Sequence, residues 1–436
     1  MINIFHRINK KGLHITPDFR LLSTPAGIIT CSGILRLSAI AVLVAAIGIA
    51  AAKSITIAIQ AITSLAFYGS LSHLEAGAQD SELGILIILV PIAGAMLLTM
   101  LPKQINAFGK AIGLTLAIGM GAPLGIESPA MILNGAIGCW LGKLFRCTAA
   151  ESQLLLIVGI TSAFGYLFGA PIASIILALE VFLAEYTLAG IIPIVLAAAT
   201  TAAGSYLLRG TAPVFTINAA PATNLPAVLV YTAVGLIVGG WGRVVSKLYR
   251  LLYNWLGKLT DNNRWYLLIP VLLVALTGYF SPRVLGTGEH YLDDLLQAHV
   301  TLAILFALAA GKLLVWIFFS SAYKTGSGIT PLLLIGGATG LLLGVVIQLL
   351  FPSVVIHSGT LVLVGMGAMM VGTSRVLLTT VILLLEATHD MNTAIPVLIA
   401  CIIAYGIAAY GKKQRKALLR ADEVSVNHDP IQTLNR

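Results

Sequence analysis

The chain has 436 residues, of which 58% are hydrophobic and only 10% charged, with a mean hydropathy of +0.96. Soluble domains carry about 25% charged residues, so this composition excludes a soluble protein and implies a polytopic membrane protein. The net charge of +9 gathers at the ends, where no basic soluble domain exists to serve a nucleic-acid partner.

Residues 1–31 read as a cytoplasmic, amphipathic lead-in that lacks the short apolar core and cleavage site of a removable signal peptide. Arg7, Lys10, Lys11 and Arg20 precede the first span, and Lys412, Lys413, Arg415, Lys416 and Arg420 follow the last. The positive-inside rule therefore predicts that both termini are cytoplasmic. Apolar segments are expected at 33–68, 82–101, 108–122, 129–145, 152–182 and 187–208. The Pro- and Ala-rich stretch Thr211–Pro226 makes a seam. Further segments follow at 227–257, 265–280, 300–320, 331–350, 359–371, 376–388 and 394–410, and then a polar tail. A crossing takes roughly 20 apolar residues, so the long stretches could hold about ten full crossings. Gly and Pro break many runs at about half that length, a pattern tolerated at membrane depth only against protein or a polar cavity. Channels and secondary transporters are built this way.

The two halves resemble each other. With Pro129 of "ESPAMILNGAIGCWLG" set on Pro331 of "ITPLLLIGGATGLLLG", Gly135, Ala136, Gly138 and Gly142 fall on Gly337, Ala338, Gly340 and Gly344. "APIASIILALE" (Ala170–Glu180) likewise matches "VLLTTVILLLE" (Val376–Glu386) in pattern. Two matches in the same order, offset by about 200 residues, support an internal duplication. The expected fold is all-α, with two inverted-topology repeats of broken, tilted helices at 32–210 and 227–411. These are joined by a linker at 211–226 and followed by a cytoplasmic tail at 412–436. Such repeats place a substrate site at their interface.

Each repeat holds a glycine-rich loop, a proline and an apolar helix: "GIESP" (Gly125–Pro129) and "GSGITP" (Gly326–Pro331). Proline suits a first helical turn. The first N–H groups of a helix have no internal partner, and the dipole makes that end positive. Two such ends converging at mid-membrane would form an anion site without a full buried cation. The bland alternative is two helix starts packed for steric reasons. Glu127 stands in the first loop, in an apolar run where an unpaired charge costs several kcal/mol. Beside a helix start it can occupy the anion site itself, as a tethered competitor that leaves when protonated or displaced.

These motifs resemble the CLC family of chloride channels and proton-coupled chloride exchangers. "GIESP" is similar to that family's G-[KR]-E-G-P segment, which implies that Glu127 is the gating glutamate, flanked at the anion site by Gly125, Ile126 and Ser128. "GSGITPLLLIGGATG" resembles its G-x-F-x-P segment, which implies that Gly328, Ile329 and Thr330 line the central anion site, the first two through their amides. "FGAPIASIILALEVF" (Phe168–Phe182) and "GMGAMMVGTSRVLLTTVILLLEATHD" (Gly365–Asp390) resemble two further segments, and Lys110 falls where the family often has a lysine. The likeness runs from about 33 to 411. It implies a bacterial inner (plasma) membrane protein that carries chloride or another small inorganic anion. It also implies contact with lipid, protons as a conceivable second partner, a homodimer with one pore per subunit, and no cofactor.

The departures bear on mechanism. The family's central serine has no counterpart, because the chain passes from "LLTMLPK" almost directly to "QINAFGK" (Gln104–Lys110). The family's central tyrosine falls on Ala417, with Tyr410 nearby but out of register. Ile126 replaces Arg or Lys, and Ser128 replaces glycine. A second glutamate that relays protons in exchangers would stand at Val181, which cannot carry one. Uncoupled, channel-like conduction is therefore expected ahead of exchange.

The other polar residues point to structure. Glu180 and Glu386 end apolar helices and are expected to cap or pair. Lys312, inside an apolar run, is expected to snorkel or pair. "GTGEH" (Gly286–His290) reads as an extracellular or interfacial loop. Cys31, Cys139, Cys147 and Cys401 show no metal spacing. No nucleophile–base pair or paired aspartates suggest an intramembrane enzyme. A carrier for an organic anion would call for more fixed Arg or Lys in the core.

Overall fold

A computed structural model describes residues 31–74, 76–101, 105–183, 185–218, 224–324 and 328–426. The predicted lead-in (Cys31 apart), Gln104, Gly326, Ser327 and the tail beyond 426 lie outside the described residues. Among the described residues the regular structure is helical throughout, without strands.

The helices are α1 (Cys31–Tyr68), α2 (Leu89–Met100), α3 (Ala107–Gly119), α4 (Glu127–Leu144), α5 (Ala149–Leu167), α6 (Pro171–Phe182) and α7 (Leu188–Arg209). After the seam come α8 (Leu225–Asn262), α9 (Leu268–Phe280), α10 (His290–Leu296), α11 (Leu302–Tyr323) and α12 (Ile329–Leu350). α13 (Ser358–Ser374), α14 (Leu377–Thr388) and α15 (Ala394–Val426) complete the chain. Helices α1, α5, α7, α8, α11, α12 and the Met391–Tyr410 stretch are long and apolar enough to cross a bilayer. Others, such as α3, α6 and α14, are half that length, as the broken runs predicted.

One segment differs from expectation. The run 152–182 is two helices, because α5 ends at Leu167 and Pro171 opens α6. Between them Gly169 takes φ +61°, a conformation that favours glycine, and proline can start but not continue a helix.

The duplication is visible in the packing. α4 and α12 each begin two residues before their proline, at Glu127 and Ile329. Each then lies against the helix that follows it. A Cβ added at Gly138 would strike the Leu155 carbonyl, and one at Gly340 would come within 2.6 Å of the Leu361 carbonyl. The paired glycines therefore let backbones touch, which is how membrane helices pack closely.

Hydrogen bonds place the ends of the helices. Arg36 of α1 donates to the Phe145 carbonyl at 3.3 Å, beside the start of α5. At the other end of α5, Arg209 donates to the Tyr166 and Leu167 carbonyls at 2.6 and 3.2 Å. Asp293 accepts from the Thr216 N–H at 2.7 Å, and the Phe215 N–H donates to the Ala387 carbonyl at 2.9 Å. α10, the seam at Phe215–Thr216 and the ends of α5, α7 and α14 thus share one face. α15 starts near that face and runs away from it. The start of α1 and the Tyr410 end of the last span consequently lie on the opposite face.

Candidate functional site

Glu127 is the first residue of α4 and is fully buried. Its carboxylate does not stay on its own helix. It accepts a hydrogen bond from the Thr330 N–H at 3.2 Å and another from the Thr330 hydroxyl at 2.9 Å. Thr330 is the second residue of α12, where the N–H has no partner inside the helix and the dipole is positive. One carboxylate therefore joins the two repeats, across 203 residues of sequence.

The loop around it is shaped for this. A Cβ at Gly125 would overlap both carboxylate oxygens of Glu127, so only glycine leaves the side chain its place. The Ser128 N–H turns back to the Gly125 carbonyl at 3.2 Å. Gly328 caps α12, its carbonyl accepting from the Leu332 N–H at 2.8 Å. Ser128, Ile329 and Thr330 are all buried. Of the residues singled out in the sequence, Glu127 and Thr330 touch, Gly125 makes room for them, and Gly328 and Ile329 lead into the same helix start.

Ile126 lines a cavity on one side of the loop that carries Glu127. The cavity measures about 60 Å³, room for roughly four waters. Its walls include Thr56, Gln60 and Thr63 of α1, Gln79, and the loop Gly286–Tyr291. That loop is tied down twice. The Gly286 N–H donates to the Gly121 carbonyl at 3.0 Å, which joins it to the loop carrying Glu127. Lys312 of α11, fully buried, donates to the Val284 and Gly286 carbonyls at 3.0 and 2.5 Å. Of the two expectations for Lys312, pairing holds, and with backbone rather than an acid; it does not snorkel.

Sequence reasoning missed Glu289 in this loop. It is part-buried in the cavity wall, and its carboxylate accepts no hydrogen bond from the described residues. Burial raises its pKa to about 7, repulsion from Glu127 adds to that, and Arg209 opposes it. A lone glutamate carries no periodicity. The available signal was the pair of glycines before it, Gly286 and Gly288, which mark a backbone held close to something.

Val181 is buried in a π-helical turn at the end of α6. Its neighbour Glu180 points to α14. It accepts from the N–H groups of Leu377 at 2.7 Å and Thr379 at 2.9 Å, and from the Thr379 hydroxyl at 2.8 Å. Glu386 accepts from the N–H groups of Ile172 and Ala173 at 3.0 and 2.7 Å. Both are helix caps, as expected. Tyr410 is 63% exposed, and Ala417 lies in the part of α15 whose side chains are not described.

A family model described as "Voltage gated chloride channel" matches residues 98–409. The chain belongs to the CLC family. The H(+)/Cl(-) exchange transporter ClcA of Vibrio campbellii (strain ATCC BAA-1116) is 25% identical over 299 residues, which are 67% of this chain and 64% of that protein. ClcA of Salmonella agona (strain SL483) is 24% identical over 308 residues, 69% of this chain and 65% of that one. This CLC chain thus spans about 64% of the length of such relatives. Two solved structures share the CLC fold. A slow cyanobacterial Cl-/H+ antiporter has a TM-score of 0.71 at 17% identity, with 86% of this chain and 93% of that one covered. A CLC-type fluoride/proton antiporter has a TM-score of 0.70 at 20% identity, with 87% and 96% covered.

Proposed function

We propose that this CLC chain carries chloride, or another small inorganic anion, across a membrane along a path gated by Glu127. The observation that carries this reading is the pair of hydrogen bonds from Thr330 to the Glu127 carboxylate. A helix start that holds a carboxylate can hold a free anion on the same N–H group once the side chain leaves. The relatives' names point to chloride, and one structural neighbour is named for fluoride. Conduction is channel-like and uncoupled, because a buried valine stands at 181 and Glu180 is occupied as a cap. Proton-coupled exchange is the second reading, favoured by the exchange activity in the names of the ClcA relatives.

The described start of α1 and the end of the last span lie on the face opposite the cavity. With the basic ends cytoplasmic, the cavity opens outward. The protein acts as a homodimer in lipid, and exposed apolar residues such as Leu188, Ile192 and Val195 of α7 suit either contact.

The test is anion efflux from vesicles holding the purified protein, with proton movement recorded in parallel. Wild type should release chloride in a pH-dependent manner, and Glu127→Gln should release it at a rate that hardly changes with pH. An impermeant wild type, or a Glu127→Gln variant with the wild-type pH profile, would overturn the reading.

A further inference from the structure

Glu289 is absent from the anion-site motifs, yet it is the acidic side chain that shares a cavity with the gate loop. Three observations bear on its role. Ile126, next to Glu127, and Glu289 line the same water-sized space. The Gly286–Gly121 hydrogen bond and the Lys312 staple hold the two loops in fixed relation. The Glu289 carboxylate accepts no hydrogen bond from the described residues, so nothing but water and charge decides its protonation.

We infer that Glu289 is a second, cavity-facing carboxylate that sets the opening of the gate according to the pH on that side of the membrane. The inference rests on the proposed anion path. With Glu289 ionised, a carboxylate leaving Thr330 for the cavity meets a like charge, so Glu289 acts through Glu127. With Glu289 protonated, that penalty vanishes. The neutral acid can also donate a hydrogen bond to Glu127 in its displaced position. Flux therefore rises as pH falls.

The other charged groups around the cavity do not duplicate this. Lys312 is committed to two carbonyls, Arg209 to the end of α5, and Asp293 to Thr216. Asp80, on the Gln79 side, accepts from the Gln79 amide. His290 is exposed at the rim and is the competing titratable group. A site with its midpoint near 7 is about ten-fold more protonated at pH 6 than at pH 8.

The experiment compares chloride efflux from vesicles at pH 6, 7 and 8 for wild type, Glu289→Gln and His290→Gln. Glu289→Gln is close in shape, and its thermal unfolding and size-exclusion profile report that it is folded. The expected result is a several-fold rise in wild-type and His290→Gln flux from pH 8 to 6. Glu289→Gln should stay near the acidic rate throughout. Efflux from a folded Glu289→Gln with the wild-type pH profile would overturn the inference and leave the anion path standing. So would loss of the pH response in His290→Gln alone. No efflux from wild type would overturn both.

Discussion

Glu180 and Glu386 cap each other's repeats. Glu180, at the end of α6, takes the first N–H groups of α14, while Glu386, near the end of α14, takes those of α6. The two short helices are thus locked head to tail through two carboxylates, one from each copy of the duplicated segment. A carboxylate at a helix start satisfies orphan N–H groups and complements the dipole at once.

Removing either cap should therefore weaken the fold rather than the chemistry. Losing an N-cap costs about 0.5–2 kcal/mol. Glu386→Ala and Glu180→Ala are each expected to lower the unfolding temperature in detergent. The anion selectivity and pH profile of the folded fraction should stay unchanged. A pH profile altered in Glu180→Ala would assign that residue a role in transport.

Thr330→Val tests the latch on the proposed gate, Glu127. The variant keeps the N–H bond to Glu127 and removes the hydroxyl bond. A hydrogen bond to a charged group contributes about 1.5–3 kcal/mol. The gate should then open more readily, with flux at pH 8 raised roughly ten-fold if gating limits the rate. Unchanged flux would mean that the hydroxyl adds nothing to the closed state.

Much of this was legible in the chain. Glycine and proline spacing located the half-length helices, and a carboxylate alone in an apolar run marked Glu127. The partner of Glu127 was not legible. Thr330 lies 203 residues away, and which atom of α12 it meets depends on how the repeats cross. The loop "GTGEH" read as an extracellular or interfacial loop because short polar loops with glycine usually lie at the surface. Its burial is supplied by α1, the Gln79 segment and Lys312, none of which is near it in sequence.

Glu289 should also mark stability with pH. Its folded pKa of about 7 lies above the ordinary 4.5, so the folded state binds the proton more tightly than the unfolded one. Stability from this group is complete below about 4.5 and is lost as pH rises through about 7. Glu289→Gln should therefore unfold at a higher temperature than wild type at pH 8, with the difference shrinking toward pH 5. Equal unfolding temperatures at both pH values would place the carboxyl in water.

The last prediction concerns coupling, and it turns on the end of α6. Proton transfer needs an ionisable group or a chain of waters. Val181 offers no ionisable atom and is 3% exposed, so water does not replace it at the surface of the turn. Glu180 is adjacent but held by four donors on α14. To move a proton toward Glu127 it would have to abandon three backbone N–H groups and a hydroxyl, each left unpaired at a cost of about 1–3 kcal/mol. A protonated Glu180 would also lose its interaction with the positive end of α14. Both costs oppose a relay at this end of the path, whatever Glu289 does at the other. The reversal potential under a proton gradient, with chloride equal on both sides, is therefore expected to stay at zero. A shift from zero would establish exchange, and its loss in Glu180→Gln would identify the carrier that the valine does not replace.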